Sequence, residues 1–184
     1  MDPLWPQTFR ARMHGFEARR PRQPAEVSVS IKVRVVSGCF HRDHSPHAYV
    51  LIHQHLNRLS PPEAEFAFEE HESGPEILVY VAAGVALAKS VIDLVAAIIK
   101  ARSDGVKAGD SARHPVELVV RRTVEGETFK EEVVFRFDHT DPVSAEVIGE
   151  RLGVALDKLL GAEAKKVEPG SPSKRQGKPK RKRS

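Results

Sequence analysis

The sequence predicts an α+β domain, a two-layer sandwich in which one mainly antiparallel four-stranded sheet is covered by three helices. Three observations carry that expectation. Glu26–Val36 alternates strictly between apolar and polar residues. Two further alternating runs, 116–124 and 128–137, flank Glu125-Gly126-Glu127, the composition of a hairpin loop. Between these strands lies Ile77–Ile99, twenty-three almost wholly apolar residues that read as one long helix.

The elements follow in chain order. In the first strand Val27, Val29, Ile31, Val33 and Val35 point one way and Ser28, Ser30, Lys32 and Arg34 the other, a half-buried strand that Ser37-Gly38 ends. Ser45-Pro46 opens a helix, with Ser at the N-cap and Pro at the first helical position. Tyr49, Ile52, Leu56 and Leu59 share its apolar face, and Pro61-Pro62 closes it. In 63–70, Ala64, Phe66 and Phe68 alternate with Glu65, Ala67 and Glu69, a second strand. Ser73-Gly74-Pro75-Glu76 then starts the long helix, expected to run to about Ser103, and 104–115 is a polar loop. In the last two strands Val116, Leu118 and Val120 alternate with Glu117 and Arg121, and Phe129, Val133, Phe135 and Phe137 with Lys130, Glu132 and Arg136. Asp141-Pro142 begins the final helix, whose apolar face holds Val143, Val147, Leu152, Leu156 and Leu159 and whose end is marked by Gly161. The order is β-α-β-α-β-β-α, and amphipathic strands need the cover that these helices supply.

The long apolar stretch also has the length of a membrane span. Its twelve Leu, Ile and Val residues favour insertion by roughly 4 to 7 kcal/mol, while Lys89 and Asp93 oppose it by about 2.5 to 3.5 kcal/mol each. The two sides nearly cancel. At 100° per residue Ala82, Ala86, Lys89, Asp93, Ala96 and Lys100 form one stripe, expected to face water or a partner while the rest packs on the sheet. A span over 77–99 is the alternative, and with it membrane association in place of a cytoplasmic location. Lys89 and Asp93, four apart, are either an exposed helix pair or a polar contact kept for another chain.

Charge divides the chain of 184 residues into a leader 1–25 of net +3, a body 26–161 of net −6 and a tail 162–184 of net +7. The acidic body is no nucleic-acid footprint. The leader, rich in Arg and Pro and without an apolar run, reads as disordered and not as a signal peptide, with Met13 a possible alternative start. The tail reads as disordered too. Its cluster Lys178, Lys180, Arg181, Lys182 and Arg183 is either a solubilising end or an attachment to nucleic acid or anionic membrane, without aromatics for base stacking.

No catalytic motif stands out, and no cofactor or small-molecule substrate is expected. One cysteine excludes an internal disulfide and fits a reducing compartment. Cys39, His41, His44 and His47 are loosely spaced candidates for a divalent metal, against the simpler reading of a solvated His-rich loop. Cys39 beside His41 suggests a nucleophile only if the fold adds an orienting group. Asp138, His139 and Asp141 sit where helix caps belong. Gly149 and Gly153 have the spacing of close helix packing.

A first strand (Val27–Val35), a helix, a short acidic strand (Glu65–Phe68), a long Ala/Val/Ile helix ending in basic residues (Ile77–Arg102), a hairpin and a final helix together resemble the small "effector-associated constant component" proteins of bacterial conflict and signalling systems. The resemblance covers roughly 26–160 and rests on element order and the hydrophobic helix. It implies a non-catalytic adaptor that accompanies effector modules, and it carries over no active-site residue. Binding to another protein, and self-association, through the long helix or an exposed sheet edge is the expectation that the over-apolar helix itself raises.

Overall fold

The computed structural model describes residues 4–59, 66–111, 114–124 and 129–164. The basic cluster Lys180, Arg181, Lys182 and Arg183, the loop 125–127 and Ala64 lie outside them. Among the described residues there are four helices and five strands: α1 (Trp5–Arg19), β1 (Glu26–Val35), α2 (Pro46–Arg58), β2 (Phe66–Glu69), β3 (Glu76–Ala82), α3 (Lys89–Lys107), β4 (Val116–Thr123), β5 (Phe129–Phe137) and α4 (Ala145–Ala164). The strands form one antiparallel sheet in the order β2-β3-β1-β4-β5.

The α+β class holds, with one more strand and one more helix than expected. The stretch 77–99 is not a single helix. Its first part is β3, central in the sheet; Gly84 turns the chain at φ 73°, and α3 begins only at Lys89. β3 is buried on both faces. Ile77, Val79 and Val81 enter the main core with Val29, Ile31 and Leu118, while Leu78 belongs to a second cluster on the other side. A strand covered on both faces shows a continuous apolar run in place of alternation. The alternate β-branched residues Ile77, Val79 and Val81, with Tyr80 between them, are the available signal for a strand. No helix among the described residues is long and apolar enough to cross a membrane.

The leader contains the second difference. Trp5, Phe9, Met13 and Phe16 recur at helical spacing, and Pro6 sits in the first turn. This helix roofs the sheet face opposite α2, α3 and α4. Ser28, Ser30 and Lys32, expected to face water, are therefore buried. The sandwich has three layers.

Local capping differs from expectation in two places. Ser45 precedes α2 but makes no side-chain cap bond. Asp110, arriving from beyond α3, accepts the His47 and Ala48 backbone N–H groups at 3.3 and 3.0 Å. Gly105 makes room for this, because a Cβ there would overlap Asp110 and Ala48. In the final helix, Asp141 accepts the Asp138 N–H within a turn (2.7 Å), and Ser144 caps α4 through the Val147 N–H (3.3 Å). The helix continues through Gly161. Of the two glycines at packing distance, Gly149 lies against Ile92 of α3, whereas Gly153 has open space.

Gly74 shows how tightly the entry to β3 is held. Its φ is 138°, and a methyl group on it would overlap the Val33 carbonyl oxygen. Gly74→Ala is therefore expected to lose at least about 2 kcal/mol of stability, read as a lower urea midpoint.

Candidate functional site

The largest concentration of buried charge lies beneath α1. Glu76, wholly buried, stands on β3 directly opposite Lys32 of β1. Its carboxylate accepts from Ser30 Oγ, from Arg12 of α1 at 2.7 Å and from Lys32 Nζ at 3.4 Å. Arg121 of β4 approaches to 3.8 Å. Burial alone would raise the Glu76 pKa, but the nearby Lys32 and Arg12 charges and the hydrogen bonds from Ser30 and Arg12 outweigh it, holding the group down at about 2. The Lys32 ammonium is pushed the other way, below its ordinary value, chiefly by desolvation and despite Glu76.

From this centre the pairing runs outward in both directions. Arg12 also donates to Glu69 of β2 at 2.7 Å, and His71 stands 3.2 Å from the same Glu69 oxygen. Toward the other edge Arg121 holds Glu131 of β5, Glu131 meets Arg34, and Arg34 meets Glu117, which also accepts from Arg136. Trp5 closes the roof, with its ring under the Arg121 guanidinium at 4.7 Å and edge-on to Phe129 at 4.7 Å. One seam of alternating charge thus crosses the sheet from β2 to β5. Sequence reading missed it because its members come from six separate segments. The trace was the polar side of β1, whose Lys32 and Arg34 alternate with valines.

The residues singled out from sequence are dispersed. Lys89 and Asp93 do pair, at 2.7 Å, and Lys89 is 87% exposed. They occupy the solvent side of the first turns of α3 and not the middle of a buried helix. Cys39 Sγ lies 3.2 Å from His44 Nδ1. His41 stands beside Asp43, and His47 Nδ1 meets Asp110 at 2.8 Å. Of the four loosely spaced metal candidates only Cys39 and His44 are brought together, His41 and His47 being directed to Asp43 and Asp110, and no group of three or more potential ligands gathers among the described residues. Asp138 and Asp141 serve a turn ahead of α4 and not the helix cap expected of them, which Ser144 supplies.

Two surface features remain open. β5 is the outer strand of the sheet, nine residues long and paired only with β4 among the described residues. A bulge opposite Leu118/Val119 divides it. Before the bulge Phe129 packs on α1; after it Phe135 and Phe137 turn to the main core. Val133, at the division, is 40% exposed. At the C-terminal end of β5 a groove of ≈ 590 Å³ opens between α3 and the start of α4, floored by Ile99, Phe137, Val143 and Val147 and flanked by Lys100 and Asp138.

The seam makes two predictions. Glu76→Gln leaves Arg12, Lys32 and Arg121 buried around a neutral group and is expected to cost about 3 to 5 kcal/mol in urea unfolding. In the wild-type chain, Glu76 takes up its proton near 4.5 when unfolded but only near 2 when folded. Its stabilisation, on the order of 3 kcal/mol, is complete above pH 4.5 and is lost as the pH falls toward 2. Thermal melts across that window are expected to show the loss, and Glu76→Gln to flatten it.

Comparison of the chain with protein-family models, with curated proteins and with solved structures finds no match.

Proposed function

We propose that this chain is a non-catalytic adaptor that binds an extended segment of another protein along β5. The observation that carries the reading is the long outer strand, whose outer backbone groups have no partner strand among the described residues. An extended peptide added to such an edge gains main-chain hydrogen bonds, while pockets for alternate side chains give selectivity. The apolar groove where β5 ends is suitably placed to take a side chain of that segment. Three of the four charged side chains of the strand are already used within the chain, Glu131 by Arg34 and Arg121, Glu132 by Lys158 and Arg136 by Glu117, Lys130 being the fourth. Recognition along β5 therefore rests mainly on backbone and apolar contacts.

A second copy is a poor occupant of this edge. Two-fold antiparallel pairing about Val133 would set Phe129 opposite Phe137. The bulge sends these two side chains to opposite faces of the sheet, whereas residues opposed in a ladder share a face. A role in a bacterial effector or signalling system, as the resemblance implies, belongs to the same proposal. It draws support from the element order outside 76–103, since the long hydrophobic helix of that pattern is replaced by β3 and α3. The non-catalytic part draws support from the occupation of Asp110, Asp138 and Asp141 in caps and turns.

Peptides selected from a random twelve-residue display library on the immobilised full chain test the reading. Selected binders are expected to protect 129–137 from hydrogen exchange. Val133→Lys, which places a charge in the edge, should weaken them by about tenfold or more. Binders that protect another surface, or that ignore Val133→Lys, would refute it.

A further inference from the structure

α1 is attached to the molecule differently from the other helices. Its Phe9, Met13 and Phe16 form, with Leu78, an apolar cluster separate from the main core. Arg12 fills the space between Glu69 and Glu76. Glu17 accepts from Ser28, and Phe16 lies on Tyr80 with ring centroids 4.9 Å apart. These side-chain contacts do not require that α1 and the sheet beneath it belong to the same chain.

The connection between them, residues 20–25, is poorly matched to the closed arrangement. Pro21 and Pro24 bias the residues before them toward extended backbone, and Arg20 is extended, at φ −136° and ψ 94°. To return the chain into β1 beneath its own helix, Ala25 adopts φ 71°, the one non-glycine residue with positive φ among those described. The reversal is closed by the Glu26 N–H on the Gln23 carbonyl at 3.2 Å. A side chain at this φ is strained, and an extended connection would release it. Extension would also carry α1 off its own sheet and leave Glu69 and Glu76 without their guanidinium. The pattern that refills the face is Phe9-x-x-Arg12-Met13-x-x-Phe16, and a second copy of the chain carries it.

We infer that α1 exchanges between two copies of this chain, each helix docking on the other's sheet with the hinge at Ala25 opened. The reciprocal dimer remakes the Arg12–Glu69 and Arg12–Glu76 pairs between chains. Six extended residues reach at most about 20 Å, so the two β1 strands start close together. The inference uses neither β5 nor its groove.

The test is light scattering after size exclusion, on the full chain over a concentration series. Ala25→Gly, which accepts positive φ, is expected to move the equilibrium toward monomer. Ala25→Pro, whose ring excludes positive φ, is expected to move it toward dimer. Each hinge should contribute about tenfold, hence roughly a hundredfold in the dimer constant against Ala25→Gly. Arg12→Ala added to Ala25→Pro should dissolve the dimer, whereas Val133→Lys should leave it intact. A wild-type chain that is monomeric up to millimolar concentration overturns the inference. So does a dimer fraction unmoved by Ala25→Gly, a folded Ala25→Pro monomer, or an Ala25→Pro dimer that survives the added loss of Arg12.

Discussion

The Glu76 carboxylate joins four elements at one buried point. It stands on β3, meets Ser30 and Lys32 of β1, approaches Arg121 of β4 and holds Arg12 of α1. A carboxylate withdrawn from water costs several kcal/mol unless charge and hydrogen bonds replace its hydration. Here both do, and only in one arrangement. Lys32 faces Glu76 because β1 and β3 pair in the register Lys32↔Glu76 and Val29↔Val79. A slip of β1 by one residue would put Lys32 into the apolar core and the β1 valines under α1, leaving Glu76 without its lysine. The buried pair therefore specifies the register, at a free-energy cost that an apolar pair would not incur.

That constraint explains the third layer. The polar side of β1 carries serines and a lysine that no apolar helix could cover without leaving them unpaired. α1 covers them because it brings Arg12 for the carboxylates, Glu17 for Ser28 and a ring under Arg121. Its apolar residues touch the neighbouring strands, Leu78, Tyr80 and Ala67 on one side and Phe129 on the other. Polar groups are thus satisfied at the centre and apolar area is buried around them.

Most elements were legible because the two faces of each differ in polarity, even where, as in β1 and β4, both are buried. β1, α2, β4 and β5 appear close to the positions that their period indicates, because a polar and an apolar face show as a repeat of two or of three to four residues; α4 has the expected apolar face but starts at Ala145 and runs through Gly161. The two failures have different causes. β3 is apolar toward both faces, so Ile77–Val81 shows no repeat and merges with the apolar start of α3. α1 carries its apolar face as four large residues, Trp5, Phe9, Met13 and Phe16, set among arginines that dominate its composition. The candidate site was legible only as fragments. Lys32, Arg34 and Arg121 were visible as the polar halves of strands. Their carboxylate partners belong to β3, placed in a helix, and to strands far off in sequence. Lys89 and Asp93 stand out in the sequence as charges in an apolar run, a distinction that ends once the run divides at Gly84.

The two edges of the sheet also follow from the seam. β2 is four residues long, and Glu69 at its end is engaged by Arg12 and His71. The tie to α1 holds this edge against the roof, and its length allows few further main-chain bonds. β5 is more than twice as long. Three of its four charges, Glu131, Glu132 and Arg136, are turned back into the chain by Arg34, Arg121, Lys158 and Glu117, and its bulge breaks the symmetry that pairing with a like strand needs. Natural edges are commonly blunted by shortness or by unpaired charge. β2 has the first protection; on β5 the ion pairs reduce the second. The same network that anchors α1 therefore makes the two ends of the sheet unequal, leaving β5 better suited than β2 to an added strand.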